Sequence, residues 1–101
     1  MYRLLYTEEA KKNIEKLPEK KKRQIKDSVL RIAANPESGK RLSGDLKGLY
    51  SYRSGDYRII YRVIHNEIIV LVLTVGHRQD VYNRLSRKIS GLKGYSVNEE
   101  L

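Results

Sequence analysis

The apolar run Ile68-Ile69-Val70-Leu71-Val72-Leu73-Thr74-Val75 constrains this chain more than any other stretch. Crossing a bilayer takes about 20 apolar residues, so this run is far too short. It is rich in β-branched side chains and shows no alternation. It therefore reads as a strand buried on both faces, at the centre of a sheet. Gly76-His77-Arg78 ends it.

Two shorter strands precede it, Leu49 to Arg53 and Tyr57 to Ile64, with the turn signal Ser54-Gly55-Asp56 between them. Closure at Ser54-Gly55 sets residue 52 opposite 57, 51 opposite 58 and 49 opposite 60. Side chains alternate across a strand, so Tyr50, Tyr52, Tyr57, Ile59, Tyr61 and Val63 share one face. That face reads as core. Leu49, Ser51, Arg53, Arg58, Ile60 and Arg62 share the other. Its guanidiniums on a rigid sheet ask for an anionic partner. A slip of one residue would exchange the two faces.

Upstream, Tyr2 to Tyr6 forms a short strand. Thr7 is a helix N-cap, followed by Glu8 and Glu9 in the first turn, where the helix dipole favours acids. Ala10, Ile14 and Leu17 form one apolar stripe, and Pro18 ends that helix. Ile25, Val29 and Ile32 repeat the stripe until Asn35-Pro36. The two stripes pack on the Tyr/Ile face of the sheet. Residues 36–48 read as a loop made basic by Lys40, Arg41 and Lys47. Asp80 caps a last helix with Val81, Leu85 and Ile89 as its apolar positions. The order is βααβββα. The class is α+β: a small antiparallel-rich sheet, an N-terminal helical hairpin on one face and a C-terminal helix, with the helices placed on one face. The first strand adds at an edge or beside the central strand. Residues 1–90 form a single domain, and 91–101 read as a loose C-terminal tail.

Charge narrows the partners. Lys and Arg number 21 against 12 Asp and Glu, a net +9 at pH 7. On a small domain that points to a polyanion, most often nucleic acid, with an acidic protein or a merely soluble basic surface as alternatives. Lys20, Lys21 and Lys22 crowd the outer face of the helical hairpin, which is either solvated or a docking surface for a large RNA. There is no Cys and there are two His, so no disulfide, thiol chemistry or metal-site pattern is expected. No Gly-rich phosphate loop announces a small-molecule cofactor. The N-terminus lacks the apolar core of a signal peptide, and a cytoplasmic protein with no membrane partner is expected.

No Ser-His-Asp, Cys-His or paired-carboxylate arrangement is readable. What stands out is cationic and phenolic: Arg58 mid-strand, Arg78 after the central strand, Tyr82 one helical turn further, and His77 beside them. Such a set binds a phosphodiester, stabilises charge on it and moves protons. Arginine stays protonated, so its part is electrostatic or a late proton donation. A phenol near positive charge gains phenolate character. The tyrosines serve either as core or as stacking surfaces for unpaired bases. The residues alone lead to a basic RNA-binding domain or a nuclease without metal.

GDYRIIYRV at 55–63, LTVGHRQDVY at 73–82, LPEK at 17–20 and LKG at 46–48 carry a family resemblance. With the order βααβββα, residues 1–90 resemble the RelE/ParE toxins of toxin–antitoxin modules. VGHRxxVY is similar to the RelE branch, whose members cut mRNA in the ribosomal A site. The resemblance implies a metal-independent endoribonuclease, with a cognate antitoxin, the ribosome and mRNA as partners. It implies that Arg58 contacts the scissile phosphate. Arg78 would stabilise the transition state or protonate the leaving oxygen, and Tyr82 would orient or activate the attacking 2′-hydroxyl. Lys47, His77, Lys40, Arg41, Lys20, Lys21 and Lys22 are the RNA-binding candidates. The family's strand lysines are Leu49 and Ser51 here. Either Arg53 or Lys47 compensates, Tyr82 takes the base role, or the activity is weak; Arg53 joins the candidate catalytic set. The rival readings are a gyrase-directed ParE-like toxin and a catalytically weak binding module regulated by its antitoxin.

Overall fold

The apolar run builds β5 (Ile69–His77), which pairs antiparallel with β4 (Tyr57–Ile64) on one edge and parallel with β1 (Arg3–Thr7) on the other. The computed structural model describes residues 1–88 and 97–99, with the backbone alone for 78–79, 86–88 and 97–99. Among the described residues the sheet has six strands in the order β2-β3-β4-β5-β1-β6. Here β2 is Lys40–Arg41, β3 is Tyr50–Ser54 and β6 is Val97–Glu99. Neither β2 nor β6 was expected. β2 forms an antiparallel pair with β3, inside the stretch that composition assigns to a loop. β6 pairs antiparallel with β1, and the remainder of the expected tail lies outside the described residues.

Ile68 is not part of the strand. It closes a 3₁₀ turn at His65–Glu67 with φ 57°, and it is 56% exposed. A β-branched residue seldom adopts that left-handed conformation, so the turn is a strained one.

Helices α1 (Glu8–Glu15) and α2 (Glu19–Ala34) cover one face of the sheet. Thr7 caps α1 by accepting from the Ala10 N–H at 3.1 Å, and its own hydroxyl donates to the Leu73 carbonyl at 2.6 Å. Ala10, Ile14, Ile25, Val29 and Ile32 pack against Ile59, Tyr61, Val70, Val72 and Val75. The last helix, α3 (Arg78–Lys88), does not join them. Its Val81 and Leu85 pack against Ile60, Leu71 and Leu73 on the opposite face. This differs from the expectation of helices on one face. It also explains why β5 lacks alternation: its successive side chains feed two separate cores.

The β3–β4 pairing sets Tyr52 opposite Ile59, Arg53 opposite Arg58 and Ser54 opposite Tyr57. This is displaced by two residues from the expected 52–57 pairing. An even displacement keeps every side chain on its face. The loop is Gly55-Asp56, and Gly55 takes φ 60° as the first central residue of a tight hairpin turn of type II′ sense. Between β4 and β5, Ile60 pairs with Thr74 but Tyr61 pairs with Val72, so Leu73 is bulged.

Tyr61 is fully buried and stacks on Tyr50 with ring centroids 5.2 Å apart. Its hydroxyl donates to the Pro36 carbonyl at 2.8 Å and accepts from the Gly39 N–H at 3.0 Å. Burial pushes this phenol above its ordinary pKa, which keeps it a donor. The bonds hold the 36–39 segment against the sheet and so position β2. Tyr61→Phe should cost about 1–3 kcal/mol, because two backbone groups lose their partner. Urea denaturation checks this; a change within about 0.3 kcal/mol would mean that those groups find other partners.

Candidate active site

On the α3 face, β2, β3, β4 and α3 converge at one end of the sheet. Ser38, Lys40, Ser51, Arg53, Arg58 and Tyr82 are among the residues that line an open pocket of about 600 Å³. Arg53 and Arg58 stand directly opposite one another across the ladder. Like charges so placed repel. Among the described residues neither has a carboxylate partner. Arg53 reaches the Gly55 carbonyl, at 3.4 Å through Nε. Among the described residues, the Nε of Arg58 is buried without a hydrogen-bond partner. Leaving such a donor unpaired costs about 1–3 kcal/mol, so an arrangement that retains it is poised for an incoming acceptor.

Tyr82 is brought to the pocket by α3, and its hydroxyl donates to Ser51 Oγ at 2.9 Å. This bond ties α3 to β3 and fixes the phenol near the two guanidiniums. Ser51 is buried and occupies one of the positions where the family resemblance implies a lysine. Sequence reasoning did not count it as a site residue. Leu49, at the other position, packs against the α3-side core.

The remaining candidates are dispersed. Arg41 pairs with Glu37 at 2.7 Å, and Tyr50 donates to the other oxygen of the same carboxylate. The Tyr50 hydroxyl, then Arg41, holds Glu37 below the usual carboxylate range; Glu37 in turn raises Tyr50 and Arg41. The Arg41 charge is thus engaged by a neighbour. Lys47 is exposed beyond a 3₁₀ turn and does not line the pocket. His77 lies on the other face of the sheet, stacked on Tyr57 at 4.6 Å. Lys20, Lys21 and Lys22 sit on α2, also on that face; Lys21 is 5.9 Å from the Tyr57 ring centroid and Lys22 is 3.5 Å from Glu19. Arg78 opens α3, and its side chain lies outside the described residues. Arg53, Arg58, Tyr82 and Lys40 are therefore the predicted residues that the fold brings together.

The pocket presents positive charge, unpaired N–H donors and a phenol. It is suited to bind a phosphodiester, neutralise charge that develops on it and orient a hydroxyl. Among the described residues, no group of three or more His, Asp or Glu is placed to hold a metal ion, and no helix is long and apolar enough to cross a membrane.

A mixed sheet with a helical hairpin on one face and a cationic pocket on the other defines a small α+β protein with an anion-directed site. The family model for ParE toxins of type II toxin–antitoxin systems (parDE) matches residues 4–82. Toxin RelG of Mycobacterium tuberculosis is 34% identical over 89 residues, covering 82% of this chain and 98% of the relative. The mRNA interferase toxin RelE of Escherichia coli K12 is 28% identical over 92 residues, covering 87% and 97%. Among solved structures, the toxin–antitoxin complex RelBE2 of M. tuberculosis superposes with a TM-score of 0.72 at 30% identity, covering 76% of this chain and 98% of that one. The isolated E. coli RelE toxin gives 0.67 at 29%, covering 88% and 99%. The chain belongs to the RelE/ParE toxin family of type II toxin–antitoxin modules.

Proposed function

We propose that this chain is a ribosome-dependent mRNA endoribonuclease, the toxin of a module in which a cognate antitoxin restrains it. The observation that carries the reading is the pair Arg53–Arg58, facing one pocket with no counter-charge among the described residues. Relatives named mRNA interferase support the reaction class. Similar structures solved with RelB antitoxins support the antitoxin.

In this reading the ribose 2′-oxygen attacks the adjacent phosphorus and the 5′-oxygen leaves. The products are a 2′,3′-cyclic phosphate and a 5′-hydroxyl. Arg58 donates to the phosphate oxygens as negative charge builds on them, with Arg53 and Lys40 adding field. Tyr82 is held by Ser51 to orient the 2′-hydroxyl and handle its proton. The family resemblance assigns Arg78 to the leaving oxygen. No step calls on a metal, and the site of action is the cytoplasm, where mRNA is translated.

Addition of purified protein to translating ribosomes tests the reading. Cleavage within the mRNA is the expected outcome. DNA breaks in the presence of gyrase, without mRNA cleavage, would establish the ParE-like alternative instead. Ribosome affinity should fall steeply with salt as phosphate contacts release counterions. Reversing Lys20, Lys21 and Lys22 to Glu should flatten that dependence while sparing slow cleavage of free RNA. Affinity indifferent to both changes would make the hairpin a solvated face only.

A further inference from the structure

A second pocket opens at the same end of the β4–β5 ladder, between the end of the first hairpin helix and α3, with lining from both faces of the sheet. Its volume is about 460 Å³, and its lining includes Asn13 of α1, Lys16 just past the end of that helix, Tyr57, His77, and Asp80 and Arg84 of α3. Arg84 is the unexplained member. Among the described residues its Nε is buried without a hydrogen-bond partner, and it has no carboxylate. Its Nη2 reaches the Val75 carbonyl only at 3.4 Å, beyond the usual N–H to O range. The chain also makes room for it. A Cβ on Gly76 would collide with that guanidinium and come within 2.9 Å of Val81 Cγ2. The wall opposite is rigid, since Asn13 Oδ1 accepts from both Thr74 Oγ1 and the Val75 N–H at 3.0 Å. Asp80 supplies one negative charge against Lys16 and Arg84.

Beside this cradle is an aromatic shelf. His77 stacks on Tyr57 with ring planes 27° apart, and it is exposed, so its outer face is open. The pair Tyr57–His77 is the ladder row next to Arg58–Gly76. Successive residues project to opposite faces. The shelf and the Arg58 pocket therefore stand back to back across the end of the sheet, within reach of one chain crossing that end.

We propose that this second pocket is a nucleotide subsite for the RNA outside the scissile linkage. Arg84 and Lys16 take a phosphate of a flanking nucleotide, and its base stacks on His77. A cation cradle beside a stacking ring is the combination that single-stranded nucleic acid uses without sequence readout. A small inorganic anion would leave the shelf without a role. The proposal rests on the endoribonuclease reading for its ligand.

The test is side-chain NMR of the full chain, following the Nε–Hε signals of Arg58 and Arg84 and the ring signals of His77. The probes are inorganic phosphate, adenosine 5′-monophosphate, and a tetranucleotide made uncleavable by 2′-O-methylation. The tetranucleotide should shift the Arg84 and His77 signals saturably, at least about 5-fold more tightly than phosphate, the lower end of what a stacked base contributes. Tyr57→Leu and Lys16→Glu should each weaken that response while the Arg58 response persists. Arg84 and His77 signals that stay still, whatever Arg58 does, overturn the subsite. Equal affinity for phosphate and tetranucleotide also overturns it, since the pocket is then a plain anion site. A responding subsite on a protein that leaves mRNA intact on translating ribosomes would sink the endoribonuclease reading alone.

Discussion

Arg58→Met should lower mRNA cleavage on programmed ribosomes by about 10²–10³-fold, the usual loss when one preorganised donor to a developing oxyanion is removed. The same substitution should raise, not lower, stability to urea, by about 1 kcal/mol. Methionine keeps the aliphatic stem of the side chain. It removes a buried donor that has no partner and relieves repulsion with Arg53 directly across the ladder. Opposite signs for activity and stability are what a functional, strained charge predicts. A destabilised Arg58→Met protein would make Arg58 a structural residue, and its lost activity would then say nothing of the chemistry. Arg53→Gln relieves the same repulsion, so the stability gains of the two variants should not add.

The contrast between Arg58 and Arg41 shows what sequence can and cannot disclose. Both are arginines carried on strands of the sheet. Folding places Glu37 and Tyr50 against Arg41 and neutralises it. It places another arginine against Arg58. Alternation alone revealed that Arg53 and Arg58 share a face, because a displacement of two residues preserves parity. The turn was misplaced because Ser54 resembles a turn residue as much as Gly55 does, and only the positive φ of Gly55 decides. The side taken by α3 was not legible either. An apolar strand without alternation offers two cores, and nothing local says which one the last helix will fill. The Leu73 bulge and the Arg84 cradle arise from tertiary packing, which no periodicity encodes. The sorting of the lysines is of the same kind. Lys40 reaches the pocket because Tyr61 and the segment it anchors bring β2 to the sheet edge.

Tyr82→Phe should lower single-turnover cleavage by about 10²-fold or more, the range for a group that moves or positions the reacting proton. The hydroxyl also makes a structural bond to Ser51, so loss of rate by itself is ambiguous. Ser51→Ala resolves the two roles. It removes the same hydrogen bond but leaves the phenol. In stability, the two variants and their double mutant should show about the same loss, near 1 kcal/mol, because they share one bond. In rate they should diverge: Tyr82→Phe strongly reduced, Ser51→Ala modestly. Equal and small rate effects would confine Tyr82 to docking α3 on the sheet. Ser51→Lys is the companion experiment, since it restores the residue type that the family resemblance implies at that position. A modest change or a loss would show that the Tyr82–Ser51 pair has replaced the lysine. A many-fold rise in rate would instead show a site that retains the older geometry and runs slowly for want of that cation.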